Sequence, residues 1–535
     1  MSEISKQTKK LIEQYKKWHY SLEPKEGITT IHVDEVASRV AAFYEKIREF
    51  IDWKEEHLLK KGVIERNLRR RMLPHINLSA GEFIKIYISA EPLVLELIRS
   101  GHFPNNSIEE LKIKEVQRVI DKYIQILNNS PADKNDSRLN LYQWISSIAA
   151  CEIEEILSPS IKERALMEHM YEQMKTKIKL SKDQQISEEE KNIQIFVSIQ
   201  KALFDLDYSV ISYHLIKYKF PNWSNLSPEY INIVASGIYD IKNGIDANLN
   251  HPLAGKINNI CQRYNTPYFI LDDIISEDPL GAEEKMMDPK KLESLIKEKY
   301  NKRVKNLRIK IRRAAFYSII SIFITDILFL FTIEIQLTRY FGQFTMTSTL
   351  VNIFVPTMLM AFLALTVKDP PKGNIEKVIM ETIKIAYERE KKETYDIKSF
   401  RKRGPIFGLI ITAVYLLSTL ASIGVIVWGL NKINFPPFSY PIFITFLSLI
   451  AFAGTKIRQK ARALQMVEER DTFLDTLVDF FALPIIHLGR WLTIRWKRYN
   501  LLSTLFNALL DMPYSIFVEF IEQWRYFLKE KKEKL

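Results

Sequence analysis

The sequence predicts an all-α protein with a helical cytoplasmic N-terminal domain, a membrane domain of four spanning helices and amphipathic C-terminal helices. Two observations lead to this prediction. Residues 1–310 are polar and rich in charge, whereas the four longest apolar runs all lie between residues 314 and 454. Signals for the start of a helix also recur along the polar part. A soluble region joined to a membrane region therefore accounts for the chain.

Helix-start signals mark the N-terminal region. Four serines each stand three residues before a glutamate, the capping-box pattern that satisfies free amides of the first helical turn: Ser79, Ser107, Ser160 and Ser187. Pro228 and Pro289 follow a serine and an aspartate, as expected of proline at the first position of a helix. The stretch FIKIYIS (83–89) alternates like a strand, but the box at Ser79 precedes it, so we predict a helix there.

Composition sets the predicted domain boundaries. They delimit a cytoplasmic helical domain (1–275), a linker and basic juxtamembrane helix (276–313), the membrane domain (314–454) and a cytoplasmic or interfacial amphipathic region (455–535). The stretch SEDPLGAEEKMMDPKK (276–291) combines two prolines, a glycine and mixed charges, which is typical of a linker.

One long helix near the start carries a heptad seam. Its apolar residues recur at spacings of four and three: Val36, Val40, Phe43, Ile47 and Phe50. The seam predicts either a coiled coil that pairs two chains or the core-facing side of a bundle helix, and we prefer the second. The basic run RNLRRRM (66–72) is typical of a solvated helix face or of contact with lipid headgroups. Phosphate binding by Arg69, Arg70 and Arg71 is the alternative.

The four predicted spans are 314–337, 348–367, 406–430 and 437–454. Each approaches the roughly 20 apolar residues with which a helix crosses the hydrocarbon layer. The flanking segments 301–313, 368–405 and 455–465 are rich in Lys and Arg, whereas the connections 338–347 and 431–438 hold one basic residue each. This positive-inside pattern predicts a multi-pass protein of the cell (inner) membrane with both termini in the cytoplasm. It also accounts for the net charge of +12 and predicts contact with anionic lipids and not with nucleic acid.

Two carboxylates interrupt the first span, Asp326 near its centre and Glu334 near its end. An ionised carboxylate at the centre of a bilayer costs at least about 2.5–3.5 kcal/mol. In an antiparallel hairpin, a rise of about 1.5 Å per residue places Asp326 level with Thr357 and Glu334 level with Asn352. The four groups predict either a route for protons or cations, in which Asp326 titrates, or interhelical hydrogen bonds that fix helix register. We prefer the second.

The region after the fourth span carries no further clean span. TLVDFFALPIIHLGRWL (476–492) is apolar, but Asp479, His487 and Arg490 are costly in hydrocarbon. The segment 489–499 interleaves aromatic and basic side chains and is predicted to lie in the headgroup layer: Arg490, Trp491, Arg495, Trp496, Lys497, Arg498 and Tyr499. Two amphipathic helices follow. The sequence leaves open whether 476–512 is interfacial or packs on the soluble domain.

No motif of an enzyme, a cofactor site or a metal site stands out. The patterns GxxxxGK[ST], HExxH, CxxC, GxSxG and GxGxxG are absent, and the nine histidines are scattered. Cys151 and Cys261 make neither a disulfide framework nor a zinc site. We therefore predict no catalytic residue, no cofactor and no metal ion. Whether the protein is an enzyme stays open, and we prefer a role without catalysis.

Two stretches resemble multi-pass membrane proteins of small-genome bacteria: IHVDEVASRVAAFYEKIREFIDWKEEHLL (31–59) and the ending WRYFLKEKKEKL. The resemblance implies no activity. A large helical region without reaction chemistry favours a membrane-anchored docking or assembly platform that binds a protein partner or forms a homo-oligomer. The alternatives are an oligomer that conducts protons or cations through Asp326, and a membrane-bound enzyme that acts on lipid.

Overall fold

The computed structural model describes residues 4–23, 27–33, 56–72, 76–77, 82–83, 88–100, 102–131, 138–180, 186–329, 346–365, 370–371, 373–387, 394–397, 405–467, 473–499 and a few positions between 520 and 531. Within these residues the chain is mostly helical, which confirms the all-α prediction. Four short strands form two pairs, β1 (Ile76–Asn77) with β2 (Glu82–Phe83) and β3 (Ile178–Leu180) with β4 (Tyr395–Ile397).

Nineteen α-helices lie in the described residues. The first ten are α1 (Lys6–Ser21), α2 (Glu56–Met72), α3 (Ala90–Arg99), α4 (Leu111–Asn129), α5 (Arg138–Leu157), α6 (Ile161–Lys177), α7 (Glu188–Phe204), α8 (Tyr208–Lys219), α9 (Pro228–Ser236) and α10 (Ile238–Leu249). The others are α11 (Ala254–Gln262), α12 (Asn265–Glu277), α13 (Ala282–Met287), α14 (Pro289–Phe329), α15 (Met346–Leu365), α16 (Asn374–Tyr387), α17 (Pro405–Lys432), α18 (Tyr440–Ala461) and α19 (Phe473–Tyr499).

The helix starts predicted from capping signals agree with the structure at some positions and disagree at others. Ser187 forms a complete capping box with Glu190 at α7, and Pro289 begins α14 as predicted. The box at Ser107 is wrong, because α4 begins at Leu111. The helix predicted over 83–89 is also wrong at the positions that are described, because Phe83 lies in β2 and α3 begins only at Ala90.

Two hydrophobic cores hold together the part of the chain outside the apolar helices α15, α17, α18 and α19. We call this part the soluble part. The first is built from α2, α3, α4, α5, α8, α9 and α10, with Trp223 wholly buried. The second is built from α1, α6, α7, α11, α12, α13, the start of α14, α16 and β4. The predicted linker contributes to the second core, since Ala282 and Met286 are wholly buried. The long connection between the second and third predicted spans contributes too, through α16 and through β4, which pairs in parallel with β3.

A single side chain ties three distant segments of this second core together. Asn374, at the start of α16, donates from Nδ2 to Tyr300 Oη at 2.7 Å and to the carbonyl oxygen of Leu464 at 2.8 Å. Its Oδ1 accepts from the backbone N–H of Met466 at 2.7 Å. Three segments therefore meet at the same end of the apolar helices α15, α17 and α18: the start of α14, the α15–α17 connection and the chain that follows α18.

α14 joins the soluble part to these apolar helices without a break. It runs for 41 residues, from Pro289 in the second core to Phe329. Beyond the soluble part, Ile311 and Ala315 pack with Met360 of α15 and with Ile450 of α18. A continuous helix that packs into the second core near its start and against α15 and α18 near its middle fixes the soluble part to the apolar helices far more firmly than a flexible linker would.

Two helices, Ile406–Lys432 and Tyr440–Leu464, are long and apolar enough to cross a membrane among the described residues. They include most of the third and fourth predicted spans. Large apolar side chains of α17 face outward, and Leu409, Leu417 and Val425 are 71%, 64% and 67% exposed. Soluble proteins rarely expose a contiguous apolar surface of this kind.

α19 packs along α17 and α18, although the sequence argued against a membrane helix here. The Ser418 hydroxyl of α17 donates to the carbonyl oxygen of Phe480 at 3.1 Å. A Cβ on Gly489 would overlap the carbonyl oxygen of Ser448 in α18, so the two backbones approach closely there. Residues 476–499 therefore lie on the apolar helices and not on the soluble cores; residues 500–512 lie outside the described part.

The basic run at the end of α2 faces acidic partners within the protein. Arg69 pairs with Glu65 at 2.6 Å, and Arg70 and Arg71 both pair with Glu96 of α3. Arg70 and Arg71 therefore join α2 to α3, while Arg69 pairs within α2; the predicted solvated or lipid-facing role of the cluster stays a prediction. The heptad seam (36–50) lies outside the described residues.

Candidate functional site

A cavity of about 810 Å³ opens beside α4 and α5 in the first core. Its walls also include the start of α6, Tyr213 of α8, the turn 224–226 and Ile231 of α9. Eight charged side chains line it, four of each sign: Lys112, Arg118, Lys122, Arg164, Glu115, Asp121, Glu152 and Glu155. Ligand pockets for small molecules are mostly apolar, so this balance of charges marks an unusual site.

The floor of the cavity is a buried ion pair. The Lys122 Nζ lies 2.7 and 2.8 Å from the two carboxylate oxygens of Glu152, and the side chains are only 5% and 2% exposed. Lys122 also donates to the carbonyl oxygen of Trp223 at 2.9 Å, and Tyr123 donates to Glu152 at 2.6 Å. Burial lowers the pKa of Lys122 below its usual value, while Glu152 counteracts the shift. Every polar atom of the pair has a partner, as a buried pair requires.

The wall next to α6 carries a second acidic centre, Glu155. It accepts from Lys217 Nζ at 2.8 Å and from the Tyr213 hydroxyl at 2.7 Å, and Arg164 pairs with it. Burial alone would raise the pKa of Glu155. The hydrogen bond from Lys217, the charge of Arg164 and the hydrogen bond from Tyr213 together lower the pKa to about 2. Two cations on one carboxylate leave this wall with an excess of positive charge.

Two groups at the rim of the cavity are not engaged in an ion pair or a capping hydrogen bond among the described residues. Arg118 is exposed and makes no ion pair within the part of the chain that the structure describes. Ser160 precedes α6, and its hydroxyl makes no capping hydrogen bond. A guanidinium and a hydroxyl at the mouth, above a floor whose charges are satisfied, can donate to a ligand without breaking the network below.

A third glutamate of α5, Glu154, faces away from the cavity toward α2. Burial raises its pKa to about 7, against the attraction of Lys60 and Lys61. Lys61 is held by Asp207 at 2.8 Å and by Glu65 at 3.2 Å. Its positive charge is therefore shared among carboxylates, and Glu154 is the one whose neutral form the fold favours.

Replacing Glu154 with glutamine should change the pH dependence of stability. Folding raises this pKa from 4.5 to about 7, so the contribution of the protonated carboxyl is fully present below pH 4.5 and is lost as the pH rises through 7. The variant should therefore gain on the wild type by up to about 3 kcal/mol between acidic and mildly basic pH. Denaturation in detergent at several pH values measures this difference. The exposed Glu229→Gln is the control, and an equal difference at all pH values for Glu154→Gln would contradict the assignment.

The predicted intramembrane polar residues are only partly described. Asp326 lies on α14, and Asn352 and Thr357 lie on α15, which packs against α14; Glu334 lies outside the described residues. The side chains of Asp326 and Asn352 are not among those described, so both hypotheses for this group stay predictions.

The predicted membrane-interface residues all fall on the C-terminal half of α19. Arg490, Trp491 and Arg495 are exposed, and the Arg495 guanidinium lies 5.6 Å from the centroid of the Trp491 ring. Trp496, Lys497, Arg498 and Tyr499 continue the same helix, and their side chains lie outside the description.

Sequence reasoning missed the cavity, because its lining comes from five helices and a turn spread over more than a hundred residues. One local signal was present. The stretch CEIEEIL (151–157) places three glutamates among apolar residues of one helix. A buried acidic residue requires a counter-charge, so this pattern indicates an ion-pair network even though it cannot name the partners.

Comparison of the chain with known protein families, with curated proteins and with solved structures returns no match. The fold and the site define a class: a mostly helical protein with two helices long and apolar enough to cross a membrane and a charged cavity in its soluble part.

Proposed function

We propose that the protein is a membrane-anchored docking platform, not an enzyme, and that its charged cavity receives a segment of a partner protein. The single observation that carries this proposal is the combination of an open cavity of about 810 Å³ with a rim arginine that has no ion pair among the described residues. The rigid attachment of the soluble part to the apolar helices through α14 and α16 supports it, because a platform must hold its docking site in a fixed orientation.

The membrane part of this proposal consists of the four predicted spans, with the soluble part in the cytoplasm. The outward-facing apolar side chains of α17 support it, and so does the apolar length of α18. So does Asn374, since its contacts bring three basic flanking segments to one end of the helices. Lys and Arg residues gathered at one end favour the cytoplasmic face and its anionic lipids. The side of the C terminus does not follow from these four segments, because α19 comes after them.

The partner segment should be a polypeptide of mixed charge. Equal numbers of acidic and basic side chains line the cavity. A small apolar ligand would have to desolvate these charges without replacing their hydrogen bonds, which is costly. A peptide offers backbone donors and acceptors together with charged side chains. Arginine, the residue at position 118, is one of the side-chain types that most often dominate such contacts.

The state of the acidic groups favours docking over catalysis. A general acid or base works best with a pKa near the operating pH. Glu155 has a pKa of about 2, and Glu152 is held by both Lys122 and Tyr123. Glu155 is therefore held as an anion and has little capacity to transfer protons, and both carboxylates already accept hydrogen bonds within the protein.

Reversing the charge of Arg118 should remove the partner. We expect mild crosslinking in native membranes to give an adduct larger than the single chain for the wild type. Arg118→Glu should lose this adduct, since it adds a third acidic group beside Glu115 and Asp121. The control Lys114→Glu is exposed on the same helix but lies outside the lining, so it should keep the adduct. A wild-type chain that is recovered alone would refute the proposal, and an adduct of exactly two chains of this protein would identify a homo-oligomer.

A further inference from the structure

α19 begins near the end of α18 that lies next to the soluble part. Met466 and Val467 donate their backbone N–H groups to Asn374 Oδ1, at 2.7 and 3.1 Å. The six residue steps from Val467 to Phe473 reach at most about 22 Å. α18 has 22 residues and is about 33 Å long, so α19 cannot begin at its far end.

α19 then runs antiparallel to α18 over most of its length. From Ala461 back to Ser448 is about 20 Å along α18, and from Phe473 to Gly489 is about 24 Å along α19. The close approach of Gly489 to the Ser448 carbonyl therefore fits two helices that lie side by side. The remaining ten residues of α19 extend about 15 Å beyond this point, toward the connection between α17 and α18.

The contact between α17 and α19 repairs a break in the backbone hydrogen bonds. Pro484 lies inside α19 and has no N–H, so the carbonyl of Phe480, four residues earlier, loses its helical donor. The hydroxyl of Ser418 donates to that carbonyl at 3.1 Å, and the hydroxyl of Ser422 lies 2.8 Å from the carbonyl of Phe481. Serine donors from a neighbouring helix are the means by which membrane helices tolerate proline, because no water is at hand.

We propose that α19 crosses the membrane beside α17 and α18, and that its basic, aromatic end contacts the anionic phosphates of the leaflet remote from the soluble part. The proposal rests on α17 and α18 crossing the membrane and not on the docking role. Asp479 lies about 9 Å from the start of α19, and Arg490 about 14 Å from its end. Both side chains are exposed, and an arginine can extend its head toward the headgroups.

A similar aromatic and basic pair lies near the end of α17. Trp428 is 65% exposed near the end of α17, and Lys432 Nζ lies 5.9 Å from the centroid of its ring. Trp491 and Arg495 repeat this pairing on α19. Exposed tryptophans with basic neighbours are typical of side chains at a membrane interface. The basic residues here run against the positive-inside bias, which the earlier and stronger basic segments set.

Cysteine labelling tests the crossing. Single cysteines are introduced as Ser236→Cys in the soluble part, Asn431→Cys in the far connection and Lys531→Cys after α19. The unsubstituted chain gives the background, since Cys151 and Cys261 are buried. A membrane-impermeant maleimide is applied to sealed vesicles before and after permeabilisation. Position 531 should label from the same face as position 431. Labelling of 531 from the face of 236 would overturn the proposal, while equal labelling of 236 and 431 from one face would refute the membrane anchor itself.

Lipid binding tests the contact with phosphates. Phosphatidylglycerol added to the detergent-purified chain should raise its denaturation temperature. Arg490→Gln/Arg495→Gln should lose most of this rise. The matched pair Lys290→Gln/Lys291→Gln, exposed at the start of α14, should keep it. The same rise in both variants, or no rise in the wild type, would overturn the headgroup contact.

Discussion

Replacing Glu152 with glutamine should lower the free energy of unfolding by about 3–5 kcal/mol, because the ammonium of Lys122 then stays buried without a counter-charge. The pair is 5% and 2% exposed, so water cannot take the place of the carboxylate. Tyr123 would lose its carboxylate acceptor, and Trp223, which donates to the Tyr123 hydroxyl, would shift with Tyr123. Thermal denaturation of the full chain in detergent, followed by circular dichroism, measures the loss.

The double variant Lys122→Met/Glu152→Met is the informative control for this prediction. Removing both charges leaves no unpaired ion, and buried pairs replaced by apolar residues of similar volume are often as stable as before. It should therefore be markedly more stable than Glu152→Gln. If both variants lost the same amount, volume and shape would explain the effect and the electrostatic account of the cavity floor would be wrong.

Gly489→Val should separate α18 from α19 and cost about 3 kcal/mol or more. Added volume at a tight contact commonly costs about 1–3 kcal/mol, and here the obstacle is backbone that cannot rotate away. The Cβ would meet the carbonyl oxygen of Ser448 and the Cβ of Phe452. Denaturation in detergent and protease sensitivity of α19 would report the separation.

Gly424→Val on α17 provides the matched control, because nothing lies within 4 Å of the position that its Cβ would occupy. Valine has a somewhat better helix propensity than glycine, so stability should change by less than about 0.5 kcal/mol. Equal losses at both positions would show that the membrane environment, and not the close approach of α18 and α19, requires glycine at position 489.

The sequence predicted those parts of the fold that depend on neighbouring residues. Ser187 and Pro289 mark helix starts through groups within one turn, and the structure has helices there. The long apolar runs at α17 and α18 depend only on composition. The helix predicted over 83–89 is wrong because the pairing of β1 with β2, a contact between segments, outweighed the local capping signal.

The features that escaped prediction depend on contacts between distant segments. The connection 368–405 was assigned to the predicted membrane domain, yet α16 and β4 within it pack into the second core, where Val378 and Ala386 are wholly buried. Polar residues argued against α19 as a membrane helix, but Ser418 and the close approach at Gly489 hold it among apolar helices. In both contacts the two partners are more than forty residues apart in the chain, so no local pattern could indicate the pairing.

The candidate site could not be predicted from the sequence for the same reason. Lys122 and Glu152 are thirty residues apart, and Arg164 and Lys217 meet at Glu155 from different helices. Each residue alone is an ordinary charged position on a helix. Only the packing of α4, α5 and α8 shows that these charges are satisfied at the floor and that Arg118 remains at the rim.

Site-specific photocrosslinking at the cavity rim is the most direct test of the docking role. A photoreactive amino acid at position 118, compared with one at position 114 on the same helix, should capture a partner protein in native membranes only from position 118. The adduct should contain a polypeptide of mixed charge at the crosslinked segment. Capture from position 114 alone, or from neither position while the chain is folded and in the membrane, would contradict the proposal that this cavity is the docking site.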